Sequence, residues 1–264
     1  MNLNLKTRLF LILFSMGMAG VLSILLIDLS ALLSLIPFPA DAAIPTITLP
    51  FKVLSLIQPT LILAGAVFIG VRLARKVGLS APVAEALSAG GNTSSVLKPQ
   101  VIPGIAGGLM GGLCIVLVSL LFRPFMMSET LDRIAKFGKL LPLPTRLLSG
   151  GITEELLLRW GFMTLVVWLA WRLLQKGRTN PTKICFVGAI LLSSLVFGLG
   201  HLPVAFMLLP EASLAVVLFV IIANSAFGLV AGYLYWKKGL ESAMIAHVFC
   251  HVVLAIASAA GAYF

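Results

Sequence analysis

The sequence is poor in charge. Of its 264 residues only 11% are Asp, Glu, Lys or Arg, against 60% that are hydrophobic. A soluble domain carries roughly 25% charged residues. Too few polar side chains are present to cover a water-facing surface, which excludes an ordinary soluble globule and leaves lipid to coat most of the outside. Acids are the scarcest: nine carboxylates stand against 19 lysines and arginines, for a net charge of +10. In a soluble protein that excess would point to nucleic acid. Here the basic residues sit at the ends of apolar stretches, where they anchor helices and set orientation. Their expected partner is the bilayer and its anionic headgroups, with no nucleic acid. Cysteine is also sparse. Cys114, Cys185 and Cys250 all lie in apolar stretches without CxxC or Cys/His zinc spacing, so neither a disulfide nor a zinc framework is indicated.

What is present is apolar length. Cutting the chain at its polar punctuation leaves stretches near the ~20 residues needed to cross a hydrocarbon core. The expected architecture is all-α: a polytopic transmembrane helical bundle of about seven spans, with six to eight allowed. They are placed at about 9–35, 53–74, 103–122, 145–173, 184–203, 213–235 and 240–261. The first run follows Lys6 and Arg8 and is longer than the roughly 7–15 residues of a signal-peptide core, so it reads as an uncleaved span. Pro37, Pro39, Pro103, Pro124, Pro144, Pro181 and Pro210 punctuate the ends, while Pro59 falls inside the second span and is expected to kink it. Residues 78–100 form the one long polar connection, and 128–141 have the spacing of a short amphipathic helix at the interface. Gly104, Gly108 and Gly112, with Gly107 and Gly111 beside them, recur at helical spacing, as do Gly228 and Gly232. Such faces let helices pack closely. With the N-terminus inside, twelve Lys and Arg residues fall on the cytoplasmic side and six outside. Five of those six belong to the segment 123–146. The whole chain, 1–264, reads as one integral membrane domain: 1–125 hold three spans without a motif, and 140–264 hold those that carry one.

Most carboxylates fall in connections or at span ends, Asp41 among them. Asp28, Glu154, Glu155 and Arg159 fall inside the expected spans. A charge at the bilayer centre costs about 2.5–3.5 kcal/mol on insertion scales, so such residues point to a functional site. Glu155 and Arg159 are four apart and stack on one helical face, where each can neutralise the other. Glu154 is turned by about 100° at 3.6 residues per turn and is free to face a cavity. All three histidines are in apolar surroundings too: His201 follows Phe197, and His247 and His251 share one face of the last span. His and Glu also suit zinc, so a divalent metal held by Glu154, His201, His247 and His251 stays open. The last span has no glutamate inside its His-x-x-x-His, unlike a zincin helix. An ion-coupled transporter is a further reading of intramembrane Glu and His, but the chain has no paired interrupted segments in its two halves.

Three segments in order, Glu154-Glu155-x-x-x-Arg159, Phe197-x-x-x-His201 and His247 on the final span, resemble the CPBP family. That family contains the type II CAAX prenyl endopeptidases and the Abi-type bacterial proteins linked to bacteriocin immunity. The resemblance covers about residues 140–255. It implies an intramembrane endopeptidase of a prokaryotic plasma membrane, acting on a peptide or protein substrate with no cofactor required. Carried across, Glu154 with His201 would activate the attacking water, Glu155 and Arg159 would orient them, and His247 with His251 would stabilise the oxyanion. One departure stands out: the family usually has Asn or Asp where this chain has His251. That departure leaves room for a catalytically silent scaffold or immunity-type binding protein on the same architecture.

Overall fold

The computed structural model describes residues 4–37, 47–176, 178–209 and 211–263, so Pro39, Asp41 and Pro210 lie outside the described residues. Seven helical stretches in it are long and apolar enough to cross a membrane: Leu5–Leu26, Leu49–Val77, Thr93–Phe125, Leu143–Leu174, Lys183–Leu208, Leu214–Lys238 and Leu240–Ala259. Among the described residues the regular structure is helical throughout. The outward faces remain apolar, with Ile102, Leu61 and Leu121 largely exposed. This is an all-helical integral membrane protein.

Local chemistry explains the boundaries. Asn4 accepts from the Thr7 amide, Asn92 from Ser94 and Ser95, and Ser213 from Val216, each covering amides that a helix start leaves unpaired. Gly239 separates the last two spans at φ +110°, where a side chain would be strained. Three expectations need correction. The first span stops at Leu26, and Asp28 lies beyond it, capping the short helix Leu29–Leu33 through the Ser30 and Ala31 amides at 3.0 Å. A carboxylate aimed at backbone donors outside the span does not carry the cost of a buried charge. The segment 78–100 is not an open connection: it holds the helix Pro82–Ser88, and the third span begins at Thr93. Pro99 and Pro103 therefore lie inside that helix, which neighbouring spans support by close packing. The break in the second span falls at Ser55–Leu56, between the helices Leu49–Leu54 and Ile57–Leu73. Pro59 has no N–H to bond Ser55, and its ring crowds that carbonyl. The amphipathic helix is present as Ser128–Leu140.

The glycine faces do what their spacing implies. Gly104, Gly108 and Gly112 meet Ile245, Ala246 with Phe249, and Val253 of the seventh span, while Gly107 and Gly111 meet Leu234 and Phe227 of the sixth. Gly228 and Gly232 meet Ser194 and Ile190 of the fifth. The fourth span is fastened to the first through Thr145 Oγ1, which donates to Ser23 O at 2.8 Å, and Thr153 Oγ1, which donates to Gly17 O at 2.7 Å. A Cβ on Gly20, between those carbonyls, would collide with Thr153 and Leu148. Trp160 Nε1 donates to Val67 O of the second span at 3.3 Å, and Thr164 shares a 2.7 Å hydrogen bond with Tyr235 of the sixth.

A Cβ at Gly108 would sit 2.5 Å from Ala246 O and from Phe249 Cβ, whereas one at Gly65 would meet nothing within 4 Å. Gly108→Val is expected to destabilise the detergent-solubilised protein by about 1–3 kcal/mol or more. Gly65→Ala is expected to leave thermal unfolding unchanged or slightly raised, because alanine is the better helix former. Equal melting of the two variants would contradict this packing.

Candidate active site

The fourth span does not follow the 3.6-residue geometry that the sequence suggests. From Arg146 to Met163, with Glu155 as the one α-helical residue, it is π-helical. Bonds from i to i+5 widen the turn and rotate successive side chains by less than 100°. Such segments are uncommon and concentrate at functional sites. Glu155 and Arg159 still meet: Arg159 Nη1 lies 3.1 Å from Glu155 Oε1, with both side chains fully buried. Arg159 Nη2 also donates to Gly228 O of the sixth span at 3.2 Å. Its guanidinium carbon stands 4.9 Å from the centre of the Phe197 ring, a cation–π contact with the fifth span.

The same Glu155 oxygen reaches the seventh span, 2.8 Å from His247 Nδ1. A carboxylate accepts there, so Nδ1 carries a proton and Nε2 is left for the cavity. Nε2 lies 4.0 Å from Glu154 Oε2. His201 is held by a similar device: its Nδ1 donates to Phe197 O at 2.8 Å, which again turns Nε2 outward. Phe197 connects all three motifs, standing edge-on to His201 at 4.9 Å and to His247 at 5.8 Å while lying under Arg159. His251 stacks on His247 with ring centres 4.9 Å apart. Gly150 makes room for it, since a Cβ there would collide with His251 Nε2.

These groups open on one cavity of about 420 Å³ that Glu154, His201, His247 and His251 all line. That volume lies within the roughly 300–1,000 Å³ of ligand pockets. Most of the wall is apolar, with Ile115, Phe137, Val216, Phe219 and Leu254 contributing. Glu154 is the sole acidic side chain in the lining and is about a third exposed. Among the described residues no three His, Cys, Asp or Glu side chains form a group that could hold a metal ion. All six residues singled out in the sequence therefore converge, though the histidine within 4.0 Å of Glu154 is His247, while His201 shares the cavity.

Residues 136–253 match the family model described as type II CAAX prenyl endopeptidase Rce1-like. Over this segment the chain is similar to the CPBP/CAAX protease family. No curated protein and no solved structure matches the chain. The Rce1-like segment runs from the amphipathic helix to the seventh span and includes Glu154, Glu155, Arg159, His201, His247 and His251. Sequence reasoning passed over two of its lining residues, Arg146 and Asn224. Asn224 is visible in retrospect as an amide inside the apolar run 219–223 and its continuation. Arg146 instead ties the preceding connection, donating from Nε to Leu141 O at 3.0 Å and from Nη2 to Gly138 O.

Breaking a buried ion pair costs about 3–5 kcal/mol, and replacing both partners by apolar residues often does not. Arg159→Met should lower thermal stability by that amount, and Glu155→Leu/Arg159→Met should recover the larger part of it. A double variant as unstable as the single one would show that the pair is not the source of the cost.

Proposed function

We propose that the chain is a membrane-embedded endopeptidase that hydrolyses a peptide bond near the membrane with water activated by Glu154. The observation that carries this reading is the unequal situation of the two neighbouring glutamates. Glu155 is enclosed and balanced by Arg159, whereas Glu154 faces an apolar cavity beside the Nε2 of a histidine. The family match supports peptidase chemistry and a peptide or protein substrate.

On this reading Glu154 takes a proton from water as the water oxygen bonds to the scissile carbonyl carbon. The carbonyl oxygen becomes an oxyanion. When the C–N bond breaks, the proton passes to the leaving nitrogen, leaving a carboxylate and an amine. His201 shares the work of holding the water, through the Nε2 that its bond to Phe197 O leaves free. Donation from His247 Nε2 to the oxyanion requires a second proton on that ring, whose orientation is held by the Glu155 oxygen at Nδ1 while the negative oxyanion offsets the added charge. His251, stacked behind it, extends the same polar strip in place of the amide or carboxylate usual in the family. The step requires no cofactor. The bias of Lys and Arg supports a cytoplasmic N-terminus.

General-base assistance contributes about 10²–10⁴-fold. Purified Glu154→Ala is expected to lose cleavage by at least about 100-fold with unchanged thermal unfolding, and its membranes should accumulate peptides that wild-type membranes lack. Cleavage retained by the purified variant would overturn the mechanism. Gly150→Ala offers a milder test: displacing the His251 ring should lower kcat more than it raises KM, and unaltered kcat would remove His251 from the site.

A further inference from the structure

The cavity face of the sixth span consists of Val216, Phe219, Val220, Ala223, Asn224 and Phe227. One amide therefore interrupts a wall that is otherwise apolar. A polar side chain in a membrane helix usually bonds across to a neighbouring helix. Asn224 does not: its Nδ2 donates to Val220 O of its own helix at 2.8 Å. An asparagine amide has two donor hydrogens and two acceptor lone pairs. That one bond leaves the Oδ1 acceptor and a second N–H at the cavity.

Apart from Glu154, Ser149, His251 and the Nε2 atoms of the other two histidines, the polar groups named in the lining are committed to the protein. Thr145 Oγ1 donates to Ser23 O, Arg146 bonds Leu141 O and Gly138 O, and His201 and His247 use Nδ1 on Phe197 O and Glu155. An extended chain entering an apolar cavity brings backbone N–H and C=O groups that are costly to bury unpaired. An amide side chain supplies both an acceptor and a donor for such a group.

The level of Asn224 is set by Phe227, three residues on, whose ring centre is 4.4 Å from that of His247. Three residues rise about 4.5 Å along a helix, and an extended peptide advances about 3.3 Å per residue. We propose that Asn224 is a substrate-binding residue whose Oδ1 accepts a backbone N–H of an extended peptide one or two residues from the bond facing Glu154. This rests on the endopeptidase reading for which bond is cut, but the contact itself is a binding interaction.

Binding can be read without turnover in a Glu154→Gln background. The probe is a dye-labelled decapeptide of Leu, Ala and Val, titrated into the full chain in nanodiscs. A set of analogues replaces one backbone N–H at a time by an ester oxygen. One neutral hydrogen bond corresponds to about a five- to tenfold change in affinity. One ester position, or two adjacent ones, should weaken binding to Asn224 by that factor, and Asn224→Leu should weaken the all-amide probe equally while losing the amide–ester difference. Since each probe partitions into the bilayer equally for the two variants, the change in the amide–ester ratio between them reports the contact and not the lipid. Absence of binding, or an amide–ester ratio that Asn224→Leu leaves unchanged, overturns the proposal. The ester scan without the substitution covers a misfolded variant, because a scan with no sensitive position overturns it as well. Probes that bind with the expected ratio yet remain uncut by the unsubstituted chain would instead count against the endopeptidase reading and leave the contact supported.

Discussion

The fully buried Glu155–Arg159 pair is the interaction on which the rest of this site depends. A single buried ion would be prohibitive among apolar helices, and two of opposite sign become tolerable only when held at close range with further hydrogen bonds. Those further contacts come from three other spans. Gly228 of the sixth accepts from Arg159, Phe197 of the fifth lies under its guanidinium, and His247 of the seventh reaches the same Glu155 oxygen. Satisfying one costly pair thus fixes four helices relative to one another. It also fixes the tautomer and direction of His247.

The arrangement separates support from chemistry within two adjacent residues. Glu155 is enclosed, neutralised and unable to meet a substrate. Glu154 lies on the cavity side, where its ion-pair partner among the described residues is His247 and not an arginine. The π-helical geometry of the fourth span has a part in this, since the wider turn leaves both carboxylates on the inner side of the bundle while directing them to different surroundings. The small residues around the site make the packing possible. Gly20 admits the Thr153 hydroxyl, Gly150 admits His251, and Gly228 brings its carbonyl to Arg159.

Much of this was legible in the sequence because membrane constraints are strict. Stretches of about 20 apolar residues have few alternatives to spanning helices, so seven spans were countable. Charges inside them were conspicuous for the same reason. Boundaries were less legible where a polar residue could cap as well as interrupt: Asp28 looked intramembrane and is a cap, while Asn92 looked like loop and begins a 30-residue helix. Asn224 escaped notice because one amide in a long apolar run carries no spacing signal.

The sequence by itself determined the helical bundle, the identity of the six polar residues and the Glu155–Arg159 pairing, since all of these follow from hydropathy, scarcity of charge and a four-residue step along one helix. Only the tertiary structure decided that His247 is the histidine approaching Glu154, that Phe197 lies beneath Arg159, and that the site opens on an apolar cavity containing an amide. Those relations join residues 30 to 90 or more positions apart. Local periodicity sets the direction of a side chain around its own helix, but which helix it meets is set by how several faces pack together.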